Sequence, residues 1–195
     1  MQAPVKLNFK MYQGSTFKEV LRRETSTKVY VPITGITQAA PVVITAPSHG
    51  CPVGWRTKVT NVLGMTDINS SEVYHTVTGT TNDTVTINAV NAIGYKAYVS
   101  GGVLEYNEPF NLTGVTARMQ LRSKITDTVS IDDYTTENGK IVINTTDKTI
   151  AILVDAVTTA SYTFASVVYS MELINGTEVI PFITGTISLE KEITR

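Results

Sequence analysis

The chain has 195 residues, 42% hydrophobic and 17% charged, with 16 basic against 17 acidic side chains and a net charge of −1. That length suits one or two domains with a substantial core, and so balanced and dispersed a charge points away from nucleic acid and from anionic membranes as partners. Cys51 is the only cysteine, which excludes an internal disulfide and a cysteine-built zinc site.

The opening MQAPVKLNFKMYQG lacks the apolar core of a signal peptide, and no apolar run nears the ~20 residues of a membrane span. The expectation is a soluble protein made in a cytoplasm. Abundant Thr, Val, Ile and Tyr favour strands. Leu7, Phe9 and Met11 alternate with Asn8, Lys10 and Tyr12, a half-buried strand. STFKEVLRRE sets Phe17, Val20, Leu21 and Glu24 near helical spacing, but the Thr and Val around it favour strand. Val42 and Ile44 predict a strand stopped by Pro47-Ser48-His49-Gly50; RTKVTNV alternates, and VYHTVTG and TVTINAV flank a polar loop over 79–83. Short, regularly spaced strands of this kind predict a small sandwich or barrel, closed by GYKAYVSGG with Gly101-Gly102 as a hinge.

Beyond it, Ala117, Met119 and Leu121 alternate with Arg118, Gln120 and Arg122. KIVIN and TIAILV flank the turn at 145–148, and DAVTTASY resembles a helical turn capped by Asp155. SVVYSMELI and TEVIPFITGTISLE flank Asn175-Gly176, a pair that tolerates the positive φ angles of a tight hairpin.

Ile33-Thr34-Gly35-Ile36-Thr37 is nearly repeated as Leu112-Thr113-Gly114-Val115-Thr116. With residues 35–106 lifted out, TKVYVP runs into NLTGVTARMQLR as strand, turn and strand. The predicted organisation is therefore a discontinuous domain, 1–34 with 107–195, interrupted by a small β-barrel at 35–106. A tandem repeat fits worse, because YQGSTFKEVLRR has no second copy. A third Thr-Gly, Thr184-Gly185, leaves coincidence in a Thr-rich chain as the other explanation.

Groups for catalysis are sparse. His75, between Val73 and Val77, reads as structural. His49 and Cys51 have the spacing of an imidazole–thiol pair, but SHGCP reads as a turn and supplies no third orienting residue. Asp132-Asp133 reads as a solvated pair before a cation site, and the Asn-X-Ser/Thr sequences as by-products of composition. Glu105 and Glu108 are a carboxylate pair that a cell-envelope hydrolase would need. No phosphate loop, zinc-protease helix or nucleophile elbow is present, so no enzyme activity, cofactor or metal is expected. Trp55, Tyr95 and Tyr98 are the candidate partner contacts, as interface anchors or sugar-stacking rings, with Trp55 expected to be partly exposed; packing inside the barrel is the competing reading.

Residues 33–102 carry an ITxIT opening, the turn Ala46 to Gly50, Val62-Leu63-Gly64-Met65 and a closing G-Y-x-A-Y-x-S-G-G from Gly94 to Gly102. This text resembles small β-barrel modules of bacteriophage tail proteins, themselves similar to the first catalytic cysteine half-domain of ubiquitin-activating enzymes; the resemblance implies the fold and not that chemistry. The flanks carry Q-G-x-T-F (Gln13 to Phe17), x-L-T-G-x-T-A-R-M-Q-x-R ending at Arg122, V-Y-x-x-E-L from Val168 to Leu173 with Ser170 where the pattern has Asp, and a terminal E-x-T-R from Glu192 to Arg195. They resemble the N-terminal immunoglobulin-like domain of phage baseplate proteins. The resemblance implies an all-β chain, an immunoglobulin-like β-sandwich interrupted by an inserted small β-barrel. It also implies a non-enzymatic virion component synthesised in the host bacterial cytoplasm: a homo-oligomeric tail, baseplate or head-to-tail adaptor contacting tail, baseplate or fibre subunits. The alternative is a glycan- or receptor-binding module, a short tail fibre or head decoration protein holding a host surface glycan on Trp55, Tyr95 and Tyr98.

Overall fold

The period-two alternation becomes strand almost throughout, and the fold is all-β. The computed structural model describes residues 3–70 and 72–192, so the last three residues of the terminal E-x-T-R motif and Ser71 of the Asn69 sequon lie outside the described residues. In chain order the described strands are β1 (Val5–Lys6), β2 (Phe9–Tyr12), β3 (Phe17–Leu21), β4 (Glu24–Pro32), β5 (Gly35–Ile36), β6 (Val42–Thr45), β7 (Arg56–Leu63), β8 (His75–Thr76), β9 (Gly79–Thr80), β10 (Thr84–Ile87), β11 (Ser100–Pro109), β12 (Val115–Arg122), β13 (Asp132–Thr135), β14 (Ile141–Asn144), β15 (Thr149–Val154), β16 (Ser166–Asn175) and β17 (Glu178–Glu190). Helix α1, Ala156–Ser161, follows β15, and the Asp155 side chain caps it by accepting from the Thr158 amide at 2.6 Å.

The chain forms two units. The outer one combines Met1–Arg22 with Asn111–Arg195; the inner one is Arg23–Phe110. The boundary expected at 106/107 falls inside a ladder: β4 pairs antiparallel with β11 from Pro32↔Val103 to Glu24↔Pro109, and the Phe110 amide donates to the Arg23 carbonyl at 2.9 Å. The boundary expected at 34/35 falls where the chain already pairs with β6, the Thr34 amide donating to the Thr45 carbonyl at 2.9 Å. Backbone pairing therefore assigns 23–34 and 107–110 to the inner unit. The repeated ITGIT and LTGVT do not mark its edges.

In the outer unit β16 is central, paired with β17 on one side and with β12, then β13, on the other. β1 and β2 run parallel to β17 in one register, Val5↔Ile183 and Phe9↔Ile187, broken only at Leu7–Asn8. There the edge strand arches over Gly185, and a β-carbon on Gly185 would lie 1.9 Å from the Leu7 carbonyl oxygen. This third Thr-Gly is thus explained by a close backbone approach. A second sheet, β14-β15-β3, supplies Ile141, Ile150, Ile152 and Phe17 to the core, while Phe9, Met119, Leu121 and Met171 come from the larger sheet. The Phe9 and Phe17 rings meet edge to face at 5.8 Å, joining the two layers as a sandwich does.

The β16–β17 hairpin turns one residue later than expected. Asn175 still pairs with Glu178, so the two loop residues are Gly176 and Thr177. Pro181 sits beside the β-bulge opposite Met171 and Glu172, before β1 joins the free side of β17, where a missing N–H is tolerated.

The inner unit holds two four-stranded sheets, β5-β6-β10-β9 and β4-β11-β7-β8, around a core of Val42, Ile44, Trp55, Val59, Met65, Ile87 and Leu104 among others. Gly101 and Gly102 belong to β11 and are no hinge. Gly102 (φ 96°) stands across from Asn61 (φ 60°), so both strands kink together, and a β-carbon on Gly102 would come within 2.5 Å of Val62. The kink moves the buried face of β7 from Thr57 and Val59 to Val62.

Candidate binding surface

Trp55 is 1% exposed, and its indole N–H donates to the Asn107 carbonyl at 2.7 Å. The expected partial exposure is therefore corrected: its ring fills the inner core and offers no face for stacking. Tyr95 and Tyr98 are half-buried against the same core. The Tyr98 hydroxyl donates to the carbonyls of Ile33 (2.9 Å) and Gly101 (3.0 Å), tying down the segment before β11. Trp55 is an interior residue, while Tyr95 and Tyr98 keep part of their surface exposed.

Groups considered for chemistry have structural partners. The His49 Nε2 lies 3.0 and 3.1 Å from the carbonyls of Thr81 and Thr84, and its Nδ1 accepts the Cys51 amide at 2.9 Å, so the proton sits on Nε2. No ring nitrogen is left to activate Cys51, whose thiol burial pushes up to about 12. The buried hydroxyl of Tyr106, itself raised to about 12 by burial, donates to the His49 carbonyl. His75 lies in β8 opposite Thr57, with Val77 buried and Val73 exposed, so the expected apolar face is only half present.

Glu105 is buried, 2.9 Å from Lys28 Nζ and 3.3 Å from Lys58 Nζ, while Glu108 is exposed. Burial pushes the Glu105 carboxyl upward, but the two lysines outweigh it and hold it below the usual range. The Tyr74 ring lies between Lys28, Arg56 and Lys58, each 5.2 to 5.4 Å from its centre. Asp132 takes Lys140 Nζ at 2.6 Å on both oxygens and the Tyr162 hydroxyl, which lies 3.0 Å from that of Tyr134. Asp132 is thus an anchor of the outer unit, while Asp133 accepts from Ser130. Among the described residues no cluster of His, Cys, Asp or Glu could hold a metal ion.

What remains open is the outward face of the larger sheet in the outer unit. Register places Gln120, Ser170, Thr184 and Lys6 in one row across β12, β16, β17 and β1. Arg122, Val168 and Thr186 form the next row, and Arg118 lies opposite Glu172 in the row on the other side. Small side chains in the middle, Ser170, Thr184 and Gly185, between long ones leave a hollow of about 730 Å³. Arg118 pairs with Glu172 at 2.7 Å. Arg122 binds the Asp127 carbonyl (2.6 Å) and Gln120 Oε1 (2.7 Å), neither of them an anion.

One wall is the loop between β12 and β13. The Lys124 amide donates to the Asp127 carboxylate at 3.0 Å, the Asp127 amide returns to the Lys124 carbonyl at 3.1 Å, and the Ile131 amide reaches Leu121 at 2.7 Å. On this pinned base Ile125 and Val129 are 85% and 78% exposed, and Ile125 borders the hollow. The sequence alternation had turned Arg118, Gln120 and Arg122 outward, but their neighbours across the sheet follow from register. The available signal for the loop was two isolated aliphatics in the polar run SKITDTVS.

No protein-family model matches the chain, and no curated protein matches it.

Proposed function

We propose that the chain is a non-enzymatic structural component of a bacteriophage virion. In this reading it is a tail, baseplate or head-to-tail adaptor that attaches other tail parts such as fibres, with an immunoglobulin-like outer unit and an inserted small barrel. The observation that carries the reading is the loop between β12 and β13, which presents Ile125 and Val129 to solvent from a hydrogen-bonded base. Exposed aliphatics on one hydrogen-bonded loop, with Ile125 at a groove's edge, are the chemistry of a protein contact. The motifs at 13–17, 112–122 and 168–173 add the resemblance to baseplate domains, and the structural partners of His49, Cys51, Glu105 and Asp132 favour a scaffold over a catalyst. The glycan-binding alternative has lost its stacking ring at Trp55.

The test is the mass of the purified chain by light scattering, with parent virions examined by mass spectrometry for the same polypeptide. A defined oligomer, or many copies per virion, is the expected result; a monomer absent from virions overturns the proposal.

A further inference from the structure

We infer that the groove on the outward face of the larger sheet binds an acidic polypeptide segment carrying an apolar side chain, contributed by a neighbouring protein. The inference rests on the adaptor reading and names the chemistry of its partner. Three cations, Lys6, Arg118 and Arg122, line the groove against one carboxylate, Glu172, in a chain whose net charge is −1. Glu172 neutralises Arg118, whereas among the described residues no carboxylate pairs with Lys6 or Arg122. Between these charges lie Ser170, Thr184, Thr186 and Gln120, which supply hydroxyl and amide groups to a peptide backbone. Ile125 at the rim adds an aliphatic contact beside the cations.

Carboxylates that would meet Lys6 and Arg122, with an apolar residue placed against Ile125, describe a polypeptide better than a sugar. An anionic polysaccharide would match the charge, but the only aromatic lining residue, Tyr169, has its ring buried and stacked on Phe9 at 5.5 Å. No exposed ring is there for a sugar to stack on.

The experiment uses the full chain and a short fluorescein-labelled oligoglutamate peptide with one central leucine, followed by fluorescence anisotropy. The same peptide with glutamine for every glutamate and an oligogalacturonate are the comparison probes. Three variants accompany the parent: Lys6→Glu and Ser170→Asp put a carboxylate into the groove, and Lys18→Glu makes the same charge change as Lys6→Glu on an exposed residue of β3 in the other sheet. The acidic peptide is expected to bind, more weakly as salt rises, with Lys6→Glu and Ser170→Asp weakening it roughly tenfold or more because like charges would then face each other, and Lys18→Glu leaving it unchanged.

Absence of peptide binding, equal loss in Lys6→Glu and Lys18→Glu, or tighter binding of the oligogalacturonate would each overturn the inference. Virion composition separates this outcome from the adaptor reading: a chain abundant in virions that ignores the peptide loses the groove alone, and one absent from virions that binds it loses the adaptor role alone.

Discussion

Trp55 reports on the inner core because it is the chain's only tryptophan and is buried there. Its emission should be blue-shifted and insensitive to iodide in the native protein, moving red as denaturant opens the inner unit; a quenchable native signal would contradict the packing. Trp55→Phe removes the donor to the Asn107 carbonyl and should cost about 1–3 kcal/mol in urea unfolding, the penalty of a buried polar atom left unpaired. Cys51 should resist iodoacetamide at mildly alkaline pH until the chain unfolds, since its thiol ionises only near 12. Glu105 gives a pH test. Its folded-state pKa lies below the ordinary 4.5, so the stabilisation is complete above that value and fades as pH falls through the lower, folded-state one. Glu105→Gln should therefore lower stability at neutral pH by about 1.5–3 kcal/mol, the range for a charged hydrogen bond. That difference should shrink in acid, as urea titrations at several pH values would measure.

At the scale of elements, the arch of the edge strand over Gly185 admits no β-carbon. Gly185→Ala sets a methyl against the Leu7 carbonyl, a backbone atom that cannot swing aside, and should destabilise the outer unit by about 1–3 kcal/mol. Hydrogen exchange would locate the damage, with early loss of protection at the Leu7 amide, which donates to Thr184. Such features separate what was readable in the sequence from what was not. Alternation placed Phe9, Met11, Ala117, Met119 and Leu121 inward because each lies on a strand with one buried face, and Asp155 was readable because a cap acts within three residues. Gly101-Gly102 was misread because the neighbours that leave no room for a β-carbon on Gly102, Val62 and Ile33, lie on distant parts of the chain. The Trp55 error has the same origin: its ring is buried by strands far apart in sequence, and its indole partner lies at Asn107. The groove escaped for that reason too, since Lys6, Gln120, Ser170 and Thr184 share a row only through register.

For the whole molecule, the ladder between β4 and β11 predicts that residues 23–110 fold when expressed alone, with Trp55 emission as blue as in the full chain. Red-shifted emission from the isolated segment would show that its core depends on the rest of the chain. The same ladder bears on how the protein is made. A ribosome releases β1, β2 and β3 first, yet their partners β15 and β17 emerge only after the inner unit and much of the outer one, a delay on the order of ten seconds at ordinary rates of synthesis. Once the inner unit has closed, the hydrogen bond from Phe110 to Arg23 brings two distant points of the nascent chain side by side. The loop that β3 must close to reach β15 then no longer includes residues 23–110, and its entropic cost falls with the logarithm of its length. Interrupted in sequence, the outer sandwich is shortened in kinetic terms: the inserted unit works as a clasp that lets early strands meet late ones across a small gap.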